Sequence, residues 1–223
     1  MSRGFFITFE GLDGSGKSTQ LKKLARTLEA RGETLTITRQ PGGTSMGDRI
    51  RTLLLDSRGE SPAPHTELAM MFADRAQSIH QIIGPALERG DIVLCDRFTD
   101  STEAYQGGGR ELGSEIVRSL HHGLCGDLQP DLTLLLMPPF ERSLERARRR
   151  NKRVIENTGR DENRFENLDT EFFRRTYKMY RTIADRDSVR VVAIESEGGI
   201  EEVFSSILKV VDERLSAFRN NPT

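Results

Sequence analysis

Gly11-Leu12-Asp13-Gly14-Ser15-Gly16-Lys17-Ser18, followed by Thr19, has the spacing G-x-x-x-x-G-K-[ST] of a loop that wraps the phosphates of a nucleoside triphosphate. Its glycines let successive backbone N–H groups turn around an anion, and a helix starting at Lys17 adds its positive end. Lys17 can reach the β and γ phosphates, and the Ser18 hydroxyl can ligate Mg²⁺. Further along, Leu94-Cys95-Asp96-Arg97-Phe98 ends an apolar run on two charges. Asp96 there can hold Mg²⁺ through water while Arg97 bridges phosphates; a local strand-end ion pair is the structural alternative. Between Glu145 and Glu166 stand Arg146, Arg148, Arg149, Arg150, Arg153, Arg160 and Arg164. These form either a solvated helix end or a basic flap over the phosphates, and the nucleotide loop favours the flap.

Positioning such groups requires a sheet with helices on both faces. Five apolar, β-favouring runs, Phe5–Phe9, Thr34–Thr38, Ile92–Cys95, Leu132–Leu136 and Val189–Ile194, alternate with helical patterns near 17–31, 44–56, 65–89, 111–125, 139–150, 167–186 and 199–217. This predicts one α/β domain, a P-loop fold with a doubly wound, five-stranded parallel sheet and a mobile lid near 148–166. Ligands of such folds gather outside the carboxyl ends of the strands, where both charged motifs fall.

Composition narrows the class. Among 223 residues the formal net charge is −1, so no basic field draws the chain to nucleic acid or to an anionic membrane. Cys95 and Cys125 lack metal-ligand spacing and read as buried small residues. No early run resembles a signal peptide and no apolar run approaches a membrane span, which predicts a cytoplasmic protein. A nucleotide-driven switch would carry D-x-x-G and N-K-x-D; Asn151-Lys152 continues instead with Arg153-Val154.

The chain resembles the bacterial thymidylate kinases on Glu10–Thr19, Thr38-Arg39-Gln40-Pro41-Gly42-Gly43-Thr44, Phe72-Ala73-Asp74-Arg75 and Asp96-Arg97-Phe98. Ser101–Arg110, Pro130-Asp131-Leu132-Thr133 and Arg164-Phe165-Glu166 extend the match. The resemblance implies ATP-dependent conversion of dTMP to dTDP in a homodimer. It implies that Asp13 meets the deoxyribose 3′-OH, although an Asx turn within the loop would also suit that residue. It implies that Phe72 stacks on thymine, Arg75 donates to O4, Thr102 meets the N3 edge and Tyr105 lies beneath the sugar. Core packing is the alternative for Phe72 and Tyr105. Arg39 and Arg97 suit the acceptor phosphate, and the resemblance implies that Glu166 organises Mg²⁺, a solvated helix-start acid being the alternative for that residue.

In this family a catalytic arginine comes from the P-loop or from the lid. Gly14 follows Asp13 here, so the resemblance shifts that role to Arg148, Arg149, Arg150 or Arg153. The chain departs from the family pattern at Gln40, usually glutamate, at Met137 and Asn163, commonly aspartates, and in about ten extra residues around Arg153–Glu162. Another nucleoside monophosphate or deoxynucleoside kinase on this scaffold, or a non-enzymatic P-loop protein, are the other classes open to it.

Overall fold

The computed structural model describes residues 3–57, 59–147, 149, 164, 168–195 and 198–220. The apolar runs form parallel strands β1 (Phe5–Glu10), β2 (Leu35–Arg39), β3 (Ile92–Asp96), β4 (Leu132–Leu136) and β5 (Val191–Ile194), in the order β2-β3-β1-β4-β5. β1 is central and buried along its whole length, which is why Phe5, Phe6, Ile7 and Phe9 put apolar side chains on both faces rather than on one. Phe9 lies beside Asp96 and Glu10 beside Leu135, so the carboxyl ends of three strands meet at one edge. The P-loop, Asp96 and Arg97 all emerge there.

On one face α1 (Lys17–Ala30) and a C-terminal helix over Ile200–Asn220 bury Leu24, Leu28, Ile207 and Val211 against Phe5, Ile7 and Phe9. On the other, Phe6, Val93 and Cys95 pack with Ile83, Leu87 and Phe98. Cys95 and Cys125 are buried and free. Between β2 and β3 lie α2 (Ser45–Leu55) and α3 (Pro64–Ser78). The single helix expected over 65–89 is instead α3, a π-helical turn over Ile79–Ile83 and α4 (Gly84–Glu88). Pro85 has no N–H for the α ladder, and the Gly84 N–H reaches back to Ile79 O.

After β3 the sequence predicts no helix before 111, yet α5 (Thr99–Thr102) runs into a π-helical stretch over Glu103–Gly109. Its causes are tertiary. From the helix over Thr170–Arg186, Arg186 pairs with Glu103 at 2.6 Å, and just beyond it Arg190 pairs with Asp100 at 2.7 Å. A Cβ on Gly108 would lie 2.6 Å from Met179 Cβ, and one on Gly109 equally close to Thr176 Oγ1. The glycine run therefore lets this segment approach its neighbour. α6 (Ser114–Cys125) starts three residues later than expected because Glu111 and Gly113 have φ of 59° and 85°.

α7 is helical over 140–147, and α8 (Thr170–Arg186) is capped by Asp169, which accepts from Phe172 N at 2.6 Å. β5 begins at Val191 rather than Val189, because the N–H groups of Arg190 and Val191 both return to Asp187 O. The final helix over Ile200–Asn220 is α9. Of the expected lid, only Arg149 and Arg164 fall among the described residues.

Candidate active site

The phosphate loop joins β1 to α1. Lys17 is buried, and its Nζ donates to Gly11 O at 2.9 Å and Leu12 O at 2.8 Å. Burial and then the Arg97 charge pull its pKa from 10.5 down to about 8, against Asp13, Asp96 and Glu10. A polyphosphate would add negative charge beside Lys17 and return its pKa toward the ordinary value. Ser15, Gly16, Ser18 and Thr19 line the same cleft, while Leu12 packs into the core. Gly14 has φ +79°, and a Cβ there would overlap the Ser143 carbonyl and lie 2.8 Å from Ala147 N. α7 thus lies over the loop and leaves no room for a side chain at this position. Gly14→Ala is expected to destabilise the fold by about 1–3 kcal/mol, read by urea unfolding; an unchanged midpoint would show that α7 can yield.

Ser18 Oγ donates to Asp96 Oδ2 at 2.9 Å. Asp96 Oδ1 is buried with no hydrogen-bond partner among the described residues. One hydroxyl and one carboxylate oxygen in want of a partner fit Mg²⁺, which keeps several waters and takes phosphate oxygens as its other ligands. Glu166, the third expected metal residue, lies outside the described residues. Asp96 and Arg97 go to different partners rather than to each other.

Arg97 adopts φ +74°, the left-handed region that a non-glycine residue enters only when its surroundings hold it. The restraint is dense. Its N–H donates to Phe9 O at 3.0 Å, Nη1 to Gly11 O at 3.1 Å and Ser101 Oγ at 2.9 Å, and Nη2 to Asp13 Oδ1 at 3.0 Å. Tyr105 OH donates to Asp13 Oδ2 at 3.1 Å, so Asp13, Arg97 and Tyr105 form one cluster. Beneath it lies Glu10, which accepts from Phe98 N at 2.7 Å, from Ser101 Oγ, and from Tyr180 OH at 3.2 Å. Burial, then the Asp100 charge, raise the Glu10 pKa from 4.5 to about 7, opposed by Ser101, Arg97 and Phe98 N. Sequence reasoning assigned no role to Glu10 or Tyr180; no local pattern signals a contact across 170 residues.

The cleft has a volume of about 850 Å³, in the range of small-molecule sites. One end is lined by Gln20, Gly198, Gly199 and Ile200, the other by Arg39, Gln40, Arg75, Thr102 and Tyr105. Arg39 pairs with Asp48 at 3.2 Å at the exposed end of β2. Arg75 donates to Thr102 Oγ1 at 2.8 Å. Phe72, expected to face a base, is fully buried with Leu68 and Val117; it carries the Arg75 guanidinium 4.9 Å from its ring centre and is absent from the cleft lining. Met71, one residue earlier, lines the cleft. Met137, at the end of β4, fills an apolar cluster with Leu12, Tyr105 and Phe140, a setting that would strand a carboxylate.

Of the expected lid arginines, Arg149 is exposed and pairs with Glu145 one turn back, while Arg148, Arg150 and Arg153 lie outside the described residues. Besides Arg39, Arg75 and Arg97, the arginines that line the cleft among the described residues are Arg142 and Arg146 on α7 and Arg51 on α2. The i, i+4 spacing of Arg142 and Arg146 is the signal that places both on one helix face.

A parallel sheet, a phosphate loop with its lysine on α1, and an arginine-rich second half of one continuous cleft define a P-loop nucleoside monophosphate kinase. A family model described as Thymidylate kinase matches residues 9–207. Thymidylate kinase of Pelobacter propionicus is 44% identical over 214 residues, 96% of each chain. That of Desulfovibrio desulfuricans is 46% identical over 213 residues, 94% of this chain and 96% of the relative. The crystal structure of thymidylate kinase from Ehrlichia chaffeensis superposes with a TM-score of 0.75 at 31% identity, covering 94% of this chain and 99% of the other. The chain belongs to the thymidylate kinase family.

Proposed function

We propose that this protein transfers the γ-phosphoryl group of ATP directly to the phosphate of dTMP, yielding dTDP for nucleotide biosynthesis. What carries this reading is the Asp13–Arg97–Tyr105 cluster, which joins the triphosphate loop to the second half of the cleft in a member of the thymidylate kinase family. The acceptor phosphate is already an anionic nucleophile, so no dedicated base is needed. Alignment and neutralisation of spreading charge then govern the rate.

Lys17 and the P-loop N–H groups hold the triphosphate. Arg97 and Arg39 hold the acceptor phosphate, with Arg97 facing both groups. Asp13 and Tyr105 take the deoxyribose, and Arg75 with Thr102 the base edge, Phe72 backing Arg75. Ser18 and Asp96, with Glu166, would hold Mg²⁺, which neutralises β and γ phosphate charge when bound. Arg142 and Arg146 join Arg148, Arg149, Arg150 and Arg153 as candidates for cations over the transferred group. A homodimer is part of the same reading: Met46 and Leu53 are exposed apolar residues on α2. A cytoplasmic location belongs to the same proposal; among the described residues no helix is long and apolar enough to cross a membrane.

ADP formation with dTMP, dUMP, dCMP, dGMP, AMP, UMP and thymidine as acceptors tests the assignment. dTMP is expected to give the highest kcat/KM. Strong turnover of another acceptor without dTMP would replace it, and ATP binding with no acceptor-dependent ADP formation would reduce the protein to a nucleotide binder.

A further inference from the structure

The base side of the cleft contains a buried cation whose hydrogen-bond partners are all neutral. Arg75 is 1% exposed. Its Nε donates to Gln40 Oε1 at 2.9 Å, and its Nη2 to Phe98 O at 3.1 Å and Thr102 Oγ1 at 2.8 Å. Burial lowers its pKa from the ordinary arginine value, the direction expected for a charge short of a counter-ion. Asp74 and Glu10 act on it only across space.

The Arg75 bond also fixes the Gln40 amide. An N–H can only donate, so Gln40 must turn its oxygen to Arg75 and its nitrogen away. Gln40 Nε2 and Arg75 Nη1 are then both buried with no acceptor among the described residues, and both side chains line the cleft. Buried donors without acceptors are costly, so this wall is complementary to electron-rich oxygen on a ligand. Glutamate at position 40 would neutralise Arg75; glutamine holds it in place and leaves the charge intact. The Thr102 hydroxyl, already accepting from Arg75, can accept an N3–H with its other lone pair or donate to a deprotonated N3.

We propose that Gln40 is a specificity-determining residue that makes the base pocket tolerant of anionic pyrimidines: 4-keto bases deprotonated at N3 are accepted because no carboxylate among the described residues is bonded to Arg75. This rests on the acceptor assignment above. 5-Fluoro-dUMP, whose N3 proton is more acidic than that of dTMP, is the probe.

The experiment compares kcat/KM for 5-fluoro-dUMP and dTMP in the wild type and Gln40→Glu between about pH 7.5 and 9.5. Asp74, raised to about 6, is ionised throughout that window, while Glu10, at about 7, completes its ionisation in the lower part of it, which adds negative charge near Arg75 and opposes rather than mimics the rise expected below. Lys17, at about 8, titrates within it but acts on phosphates common to both acceptors, so it cancels in the ratio. Also near Arg75, burial pushes the thiols of Cys95 and Cys125 up and the His121 imidazole down.

The wild-type ratio of 5-fluoro-dUMP to dTMP is expected to rise with pH, and the rise to shrink by about tenfold in Gln40→Glu. A flat or falling wild-type ratio, or an equal rise in the variant, overturns the proposal. Should Gln40→Glu fail to fold, as judged by thermal unfolding, calorimetry on the wild type decides. The Kd of 5-fluoro-dUMP must then tighten with pH relative to that of dTMP, and the opposite trend overturns the idea. Good dTMP turnover with a flat ratio defeats only the role of Gln40, whereas absence of dTMP turnover defeats the acceptor assignment itself.

Discussion

Replacing Arg97 by methionine is expected to lower kcat by about three orders of magnitude while changing the KM for ATP only a few-fold. Arg97 is the only guanidinium among the described residues bonded both to the phosphate loop, at Gly11 O, and to the acceptor-side carboxylate Asp13. A cation in that position answers charge that develops between donor and acceptor, so its removal weakens the transition state more than either ground state. Arg97→Lys is expected to recover little, because a point charge cannot span Gly11 O, Ser101 Oγ and Asp13 at once. Methionine also takes one donor away from the Asp13 carboxylate, so the KM for dTMP should rise. Steady-state kinetics with both substrates varied reads all three quantities. A kcat within tenfold of wild type would remove Arg97 from the chemistry and leave it a structural clamp on the loop.

Glu67→Ala is the largest effect expected on stability. Glu67 is fully buried on α3 and accepts from Arg110 at 3.0 Å, Arg164 at 2.8 Å and Gln106 at 2.8 Å. Arg164, itself 5% exposed, also reaches Leu54 O and Leu55 O at the end of α2. One carboxylate thus ties α2, α3, the π-helical stretch and Arg164 together. Removing it leaves two guanidiniums facing a void without this counter-charge, at a cost of about 3–5 kcal/mol. For a chain of this size that corresponds to a fall in Tm of roughly 6–20 °C. Glu67→Gln keeps an acceptor and should lose less. Thermal and urea unfolding measure both, and a loss under about 1 kcal/mol for alanine would mean that water replaces the carboxylate.

The groups that approach phosphate were legible because their geometry is local. Six intervening positions from Gly11 to Ser18 define a loop, a helix start and a lysine reach, and the apolar runs around it define the strands that carry it. Asp96 and Arg97 were legible for the same reason, as charges at the carboxyl end of a buried apolar run. The helical course of 99–109 was not. Its glycines and its acids, Asp100 and Glu103, find their meaning only in Phe172, Met179, Arg186 and Arg190. Phe72 shows the limit of spacing from the other side. Helical periodicity put it on an apolar face, and the fold turned that face to the core while Met71 met the cleft.

By itself the sequence determined the donor half of this protein: a phosphate-binding loop on a parallel sheet, with its lysine, hydroxyl and metal-side aspartate. Those contacts span a few residues and depend on backbone conformations that glycine and helix initiation impose. The tertiary structure alone decided how Arg97 is caged by Glu10, Ser101 and Tyr180, why Gly14 must stay bare beneath α7, and which arginines face the cleft. The physical reason is that a buried charge is set by whichever groups surround it in space. Here those groups come from segments up to 170 residues apart.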